Sequence, residues 1–348
     1  MKSNLNHLQI ALEPHIPKSL VSDDEIALFR QIGQHLPLLS FGCFECFIGQ
    51  EKGRVDFNIR LNQDFEEHNL SLDKKKFNIL IPDRKLQSNF QPILNFLSKW
   101  KNKSLPIAPM MHHIWFIYDI TSTKEKRILP WYYIVFRQNY FMRDGDFRVE
   151  LVKQALRNLD FPQPEINEFV PIFKSLPASA SISGIGIQKN RDLSFLRLYI
   201  TVKNIDEIYN HLFQNHWPGN VAQLKEALGD YIAMASRIAF CIDYGHEPQA
   251  KIGIEIWYKE GLLERITEKM VNEKLCSPSL REGILSWEGS FEVDNNPNKW
   301  IWPKAFLDEK KTPPKKVKFT KNVPYIKFVY EEGKPLTCKA YLYFNRQF

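Results

Sequence analysis

The sequence lacks the hydrophobic runs that mark a secreted or membrane-spanning protein. No apolar stretch among its 348 residues approaches the length of about twenty residues that crosses a bilayer. No apolar leader follows the start MKSNLNHLQIALEP. We therefore expect a cytoplasmic protein that does not bind membranes. Its apolar and charged fractions, 44% and 25%, are those of a soluble globular protein.

Cysteine is scarce, and its spacing gives no disulfide framework. Of the five cysteines, Cys43 and Cys46 form a C-x-x-C pair, which a zinc or redox half-site would require. The pair lies in GCFECFIG, which alternates like a strand, so side chains three positions apart point to opposite faces. No second C-x-x-C and no H-x-x-x-H would complete a zinc site. We expect buried thiols and no metal site.

Motifs for nucleotide chemistry are also missing. SGIGIQ resembles a glycine-rich loop, but no helix with a lysine follows it, and no nucleophile elbow occurs. His112 and His113 precede a strand without partner ligands, so we expect a structural role. The net charge of +7 is modest for this size and suits phosphate, diphosphate or nucleic acid. Part of it lies in KKTPPKKVKFTK (Lys310–Lys321), where we expect a solvated loop.

Helical and strand patterns alternate along the chain. The predicted helices are SDDEIALFRQIGQHL (Ser22–Leu36), which opens with a capping-box pattern, DRKLQSNFQPILNFLSKW (Asp83–Trp100), with Pro92 near its first turn, FRVELVKQALRNL (Phe147–Leu159), IDEIYNHLFQNH, NVAQLKEALGDYIAMAS, LLERITEKMVNEKL and SPSLREGILSW. The predicted hairpins pair FGCFECFIG with RVDFNIRL, HHIWFIYDI with WYYIVFR, ASISGIGIQ with FLRLYITV, RIAFCIDYG with AKIGIEIWY, and VPYIKFVYE with TCKAYLYF. One helix–hairpin unit therefore recurs five times.

Ten antiparallel strands with helices on one face predict an α+β fold closed into a barrel, because closure removes the exposed edges of a long sheet. The helices would lie outside, and a ten-stranded lumen holds more than its own side chains. We expect a single domain over residues 1–348, with an N-terminal extension at 1–20 and a long basic and polar loop at 290–322. We also expect a monomer.

In such a barrel the aliphatic face of each strand meets the helices, and the polar face lines the lumen. In SFLRLYITV (Ser194–Val202) the aliphatic residues take every second position, with Arg197 and Tyr199 on the opposite face. The same alternation assigns these further side chains to the lumen: Glu45, Arg54, Asp56, Trp115, Asp243, Lys251, Glu255, Trp257, Lys327, Lys339, Tyr341 and Tyr343. Enclosed charges must be paired or must serve a ligand. Several Arg and Lys together suit a polyanion such as a diphosphate.

These motifs resemble the aromatic prenyltransferase barrel, the ABBA fold of fungal dimethylallyltryptophan synthases and bacterial peptide prenyltransferases. In that family an aspartate-bearing strand is followed by one written K-x-Y or R-x-K-x-Y. CIDYGHEPQAKIGIEIWY, CKAYLYF and FLRLYITV look similar, and LLSFGCFECFIG offers Glu45 where the family has an acceptor-binding glutamate. The likeness spans nearly the whole chain. One departure is Gly253, which stands where the family has a tyrosine of the cation shield.

The resemblance implies transfer of a prenyl group, dimethylallyl in our expectation, from an allylic diphosphate to an aromatic or peptide acceptor, as in natural-product biosynthesis. The implied diphosphate ligands are Arg54, Arg197, Lys251, Lys327 and Lys339. The implied cation shield is Tyr199, Tyr341 and Tyr343, and the implied acceptor contacts are Trp115, Glu255 and Trp257. Glu45 would orient the acceptor or remove its proton. Glu255 could instead pair with Lys251.

No D-D-x-x-D motif occurs, the carboxylate motif by which other prenyltransferases hold magnesium. The implied basic cage would replace the metal, so no cofactor is expected and magnesium is optional.

Other interpretations remain open at this stage. Arg197 and Lys339 could face bulk water, and Glu45 could be a solvated strand residue. Arg54 and Arg60 could simply pair with Asp56. A non-catalytic barrel that binds a small ligand or peptide would keep an aromatic lumen but would need no cluster of cations. A nucleic-acid binder would carry its cations on the outer surface, whereas alternation puts aliphatic side chains there, so we expect no nucleic-acid partner.

Overall fold

The computed structural model describes residues 11–35, 41–49, 55–62, 84–119, 130–137, 145–188, 195–202, 204–244, 248–294 and 316–347. Its α-helices are α1 (Asp23–His35), α2 (Arg84–Lys101), α3 (Gly145–Asn158), α4 (Gln163–Ser175), α5 (Ile205–Gln214), α6 (Val221–Ala233), α7 (Leu263–Asn272) and α8 (Pro278–Trp287). Its strands are β1 (Phe41–Phe47), β2 (Val55–Asn62), β3 (Met111–Asp119), β4 (Pro130–Phe136), β5 (Ser181–Gln188), β6 (Phe195–Val202), β7 (Ala235–Tyr244), β8 (Pro248–Tyr258), β9 (Gly289–Asp294), β10 (Lys316–Asn322), β11 (Ile326–Tyr330) and β12 (Thr337–Gln347).

Ten of these strands close into an antiparallel barrel, as the sequence predicts. The order runs from β1 through β8 to β11 and β12, and β12 pairs back with β1. The predicted α+β barrel is therefore confirmed. The idea that its units are copies of one repeat stays a prediction.

The outer faces of the strands form the main hydrophobic core. On β6, Leu196, Leu198, Ile200 and Val202 are buried in one cluster with side chains from the helices. The outer residues of β2, β8 and β12 belong to the same cluster. Helices thus cover the aliphatic side of the sheet, and the other side chains of each strand point into the lumen.

Local signals in the sequence explain where several helices begin. At α1 the Ser22 backbone N–H donates to Glu25 Oε2 at 2.7 Å, and the Glu25 N–H donates to Ser22 Oγ at 3.3 Å. This is the predicted capping box, since each side chain satisfies the other residue's backbone donor. Asn220 Oδ1 caps α6 by accepting from the Gln223 N–H at 3.0 Å. None of the described helices combines the length and the apolar character needed to cross a membrane.

The structure differs from the sequence-based expectations at several elements. The two ends of the expected loop at 290–322 form β9 and β10. β10 pairs with β12 and β9 pairs with β10, so the two strands extend the sheet outside the barrel. Alternation of buried Val317 and Phe319 with lysines makes β10 a strand despite its charge. Helix α4 was not predicted, and α2 begins at Arg84, which places Pro92 inside it. In the expected extension, Leu12, Ile16 and Leu20 are buried in the core.

Candidate functional site

The lumen holds a cavity of about 730 Å³ near one end of the barrel. Cations from four strands line it: Arg197 of β6, Lys251 of β8, Lys327 of β11 and Lys339 of β12. The further described lining residues are Phe47, Gly49, Asp56, Trp131, Cys241, Asp243, Gly253, Glu273, Lys274, Leu275, Val329, Glu331, Lys334, Pro335, Leu336 and Thr337. The alternation of the strands thus brings four predicted cations to one space. We call this region the cationic end.

Arg197 is held by a carboxylate on the next strand. The register of β6 and β7 puts Arg197 opposite Asp243. Arg197 Nε donates to Asp243 Oδ1 at 2.6 Å, and Nη2 donates to Oδ2 at 2.7 Å. Burial alone would raise the pKa of Asp243, but the charge and hydrogen bonds of Arg197 lower that pKa below its ordinary value. The two-point contact fixes the plane of the guanidinium at the cavity wall.

Lys339 lies between two carboxylates. Its Nζ donates to Glu45 Oε1 at 2.6 Å and lies 3.8 Å from Asp56 Oδ2. The ammonium also lies 3.8 Å from the centre of the Phe47 ring. Burial opposes ionisation of Glu45, but the charges of Lys339 and Lys327 lower the pKa of Glu45 to about 2. At neutral pH Glu45 is therefore an anion that holds Lys339 in position.

Lys327 belongs to a buried cluster with Cys241 and Glu255. Its Nζ donates to Cys241 Sγ at 3.0 Å and to Glu255 Oε1 at 3.3 Å. Glu255 pairs with Lys327, which lies opposite it in the register of β8 and β11, and not with Lys251, the alternative that the sequence offered. Burial and the charge of Glu255 raise the pKa of the Cys241 thiol, so it stays protonated and donates to Glu255 Oε1 at 3.4 Å.

Gly253 makes this cluster possible. A Cβ at position 253 would lie 2.5 Å from Lys327 Cε, closer than any real packing contact. The side chain of Lys327 therefore crosses β8 over this glycine to reach Cys241 on β7. An ammonium, rather than the tyrosine ring that the resemblance implies, occupies this part of the lumen.

Lys251 differs from the other three cations. Its side chain is exposed toward the cavity, and no ion pair or hydrogen bond joins it to another described residue. Burial, together with the charges of Lys339 and Arg197, lowers the pKa of Lys251. A nearby anion would raise that pKa again. Lys251 is thus available to bind an anionic ligand in the cavity.

The opposite end of the lumen is filled by aromatic side chains. One cluster contains Cys43, Trp115, Ile117, Trp131, Tyr325 and Tyr341, with Phe41, Tyr133, Val135, Trp257 and Tyr343 packed against it. The ring centre of Tyr325 lies 4.4 Å from those of Trp257 and Tyr341, and the Tyr325 and Tyr343 hydroxyls are 3.1 Å apart. These contacts favour a packed and rigid region. We call it the aromatic end.

Trp131 and Tyr199 lie at the boundary between the two ends. Trp131 lines the cavity and lies 5.1 Å below the Arg197 guanidinium. Tyr199 packs against Tyr133 with ring centres 3.9 Å apart. Gly184 gives these rings room, because a Cβ there would lie 2.3 Å from the Tyr133 ring and from the carbonyl oxygen of Ile134.

The predicted site residues therefore separate into groups. Arg197, Lys251, Lys327 and Lys339 line the cavity, with Glu45 and Glu255 behind them as counter-ions. The predicted shield and acceptor residues Tyr341, Tyr343, Trp115 and Trp257 lie in the aromatic end. Arg54 lies outside the described residues. Their roles stay predictions.

The sequence interpretation missed the contributions of Trp131, Cys241 and Tyr325. Trp131 alternates with outward residues on β4, so its inward position follows from the strand pattern, and Tyr325 directly precedes β11. Among the described residues, no group of three or more His, Cys, Asp or Glu has the arrangement that holds a metal ion.

Several solved structures share this architecture. The prenyltransferase PriB, in a ternary complex with L-tryptophan and dimethylallyl thiolodiphosphate, matches with a TM-score of 0.54 and 11% identity over 97% of this chain and 94% of its own. The 5-dimethylallyltryptophan synthase from Streptomyces coelicolor gives 0.54 and 10% over 98% of both chains. AnaPT from Neosartorya fischeri gives 0.57 and 9% over 97% and 90%. The chain has the fold of these prenyltransferases.

At such identities the likeness concerns the fold alone. No family model matches the sequence, and no curated protein does so either. The prenyltransferase barrel that the strand motifs suggested is thus confirmed as an architecture. The chemistry has to be argued from the side chains of the lumen.

Proposed function

We propose that this chain is a prenyltransferase. It moves a prenyl group, dimethylallyl in the first instance, from an allylic diphosphate to an aromatic or other nucleophilic side chain of an amino acid, a peptide or a small molecule. One observation carries the proposal. Four cations from four strands converge on one cavity in the lumen whose wall includes Trp131.

The electrostatics of the cavity favour a diphosphate ligand. Arg197, Lys327 and Lys339 are fixed by carboxylates, so their positions are set before a ligand arrives. Lys251 adds a cation without a described partner. Amino and guanidinium groups that surround one space bind phosphate oxygens through charge-assisted hydrogen bonds. They also stabilise the negative charge that builds up on the leaving diphosphate.

The proposed reaction begins when the C–O bond of the donor breaks and leaves diphosphate and an allyl cation. The face of Trp131 attracts that cation, since aromatic faces carry negative electrostatic potential. The barrel wall excludes bulk water, which would otherwise capture the cation. The acceptor then forms the new bond to the allyl carbon and loses a proton. The cavity cations supply the positive charge, so the proposal needs no cofactor and leaves magnesium optional.

The choice of donor and acceptor rests on comparison. PriB was crystallised with a dimethylallyl thiolodiphosphate and L-tryptophan, so this pair is the natural first test. The same cations in an inward-facing cavity argue against a nucleic-acid partner, which would need them on the outer surface. The rival that remains is a non-catalytic barrel that binds a small ligand or peptide.

The test is incubation with dimethylallyl, geranyl or farnesyl diphosphate and a panel of aromatic amino acids and peptides, beginning with L-tryptophan. We expect an acceptor that gains one prenyl unit, detected by mass spectrometry, with release of one equivalent of diphosphate. Activity should persist in EDTA. A donor-induced thermal shift without diphosphate release would favour the non-catalytic barrel.

Arg197→Met and Lys225→Met make a matched pair. Arg197 lines the cavity, whereas Lys225 lies on the surface and pairs with Asp206. We expect R197M to abolish turnover and the donor-induced thermal shift, and K225M to retain both. A wild type that shows neither turnover nor a donor-induced thermal shift would overturn the proposal.

A further inference from the structure

Two carboxylates lie side by side in the lumen, on neighbouring strands. The register of β1 and β2 puts Glu45 directly opposite Asp56, and both point inward. Each is buried, with 4% and 5% of its surface exposed. They share one ammonium, Lys339, but unequally, at 2.6 Å from Glu45 and 3.8 Å from Asp56. The sequence resemblance implies that Glu45 orients the acceptor or removes its proton.

Glu45 is poorly suited to remove a proton. Its Oε1 accepts from Lys339, and its Oε2 accepts from Asn58 Nδ2 at 3.3 Å. Among the described residues, Glu45 does not line the cavity. Its pKa, lowered to about 2 chiefly by Lys339 against the opposing effect of burial, makes it a weak base.

Asp56 meets the geometric requirement that Glu45 fails. It lines the cavity together with Trp131, Arg197 and Lys339. An acceptor ring bound against the diphosphate cations would therefore have the Asp56 carboxylate within the same space. The longer distance to Lys339 leaves that carboxylate less strongly held by the ammonium than Glu45 is.

We propose that Asp56, rather than Glu45, accepts the proton that the acceptor loses. This inference rests on the proposed function. In the balanced step the allyl C–O bond breaks, diphosphate departs with the bond pair, and a new bond joins the allyl carbon to the acceptor. The acceptor's N–H, O–H or ring C–H bond then breaks, and its proton passes to an Asp56 oxygen. Glu45 is a positioning residue that keeps Lys339 directed at the diphosphate.

The test compares Asp56→Asn with Glu45→Gln, using dimethylallyl diphosphate and the acceptor panel, L-tryptophan first. Loss of a general base costs on the order of 100-fold or more in rate, so we expect kcat of D56N to fall by at least that factor. The shift in melting temperature caused by inorganic diphosphate should be retained. E45Q should instead raise KM for the donor, because Lys339 loses its counter-ion.

The pH profile separates a base from a structural carboxylate. Wild-type kcat should fall at acidic pH as Asp56 is protonated, and D56N should lack that acidic limb while E45Q keeps it. Asp56→Glu should restore part of kcat. Asp230→Asn is the matched control, since Asp230 lies on the surface and pairs with Lys269. It should behave as wild type.

The failures of the two proposals are distinguishable. A wild type without product would overturn the proposed function, and this inference with it. A productive wild type whose kcat survives D56N, or whose acidic limb disappears in E45Q, would overturn this inference alone. Circular dichroism and the melting temperature of D56N check that the variant is folded.

Discussion

The two ends of the lumen are built from the same strands but carry opposite chemistry. β6 presents Arg197 and then Tyr199, and β12 presents Lys339 and then Tyr341, two positions further along. Each basic residue belongs to the cationic end, while Tyr341 lies in the aromatic end and Tyr199 at the boundary. In this pattern the basic residue and the tyrosine two positions later lie on the same wall of the lumen, the basic residue nearer the cationic end and the tyrosine nearer the aromatic end.

The difference shows how one barrel can hold both an open and a filled region. At the aromatic end the described rings pack against one another, with centres 4.4 Å apart around Tyr325. At the cationic end each buried charge needs a partner or a ligand, and the carboxylates hold the cations against the wall. The cavity of about 730 Å³ remains there.

The largest effect should come from Lys327→Met at the cationic end. The change leaves the buried Glu255 carboxylate without its ammonium, which lies at 3.3 Å. Loss of one partner from a buried pair costs about 3–5 kcal/mol in the free energy of unfolding. Urea denaturation measures it, and K327M/E255Q should recover much of the loss. K225M, which breaks an exposed pair, should cost no more than about 1 kcal/mol, and equal losses in both variants would contradict the account.

Glu45 should give the cationic end a pH-dependent stability. The pKa of Glu45 is about 2 in the folded protein and 4.5 ordinarily. Ionised Glu45 therefore stabilises the folded state fully above pH 4.5, and this stabilisation is lost as the pH falls toward 2. We expect the difference in unfolding free energy between wild type and E45Q to narrow by about 2 kcal/mol from pH 7 to pH 3. Urea titrations at both pH values measure it. A difference that does not change with pH would argue against the ion pair.

Gly253→Ala and Gly184→Ala should separate the two ends by ligand binding. Each Cβ would meet a packed neighbour, Lys327 Cε at 2.5 Å and the Tyr133 ring at 2.3 Å, so each should lose about 1–3 kcal/mol of stability. Only G253A displaces a cation of the cavity. The affinity for inorganic diphosphate, measured by isothermal titration calorimetry, should therefore fall in G253A and stay unchanged in G184A. Equal affinities would mean that Lys327 does not bind the anion.

The smallest effect should come from Tyr325→Phe in the aromatic end. The change removes the contact between the Tyr325 and Tyr343 hydroxyls at 3.1 Å. We expect a loss of about 1 kcal/mol, measured by urea denaturation and equal at pH 7 and pH 3. Diphosphate affinity should not change. A loss of affinity would show that the two ends are not independent.

Much of the barrel could be predicted because period-two alternation survives in the sequence. It gave the inner faces of β6, β8 and β12 and hence the cations. The ion pairs could not be predicted, because they depend on strand register. Glu255 meets Lys327 because β8 and β11 pair with that offset, whereas Lys251 lies four residues away on the same strand, about 13 Å along it. Alternation also does not reveal how deep in the lumen a side chain lies, and Trp115 and Trp257, predicted to contact the acceptor, pack in the aromatic end.

The most direct test of the account is a crystal structure of this protein with dimethylallyl thiolodiphosphate. We predict that the diphosphate oxygens lie within hydrogen-bond distance of Arg197, Lys251, Lys327 and Lys339, with the prenyl chain directed at Trp131. A donor bound at the outer surface, or with its diphosphate among the rings of the aromatic end, would contradict the account.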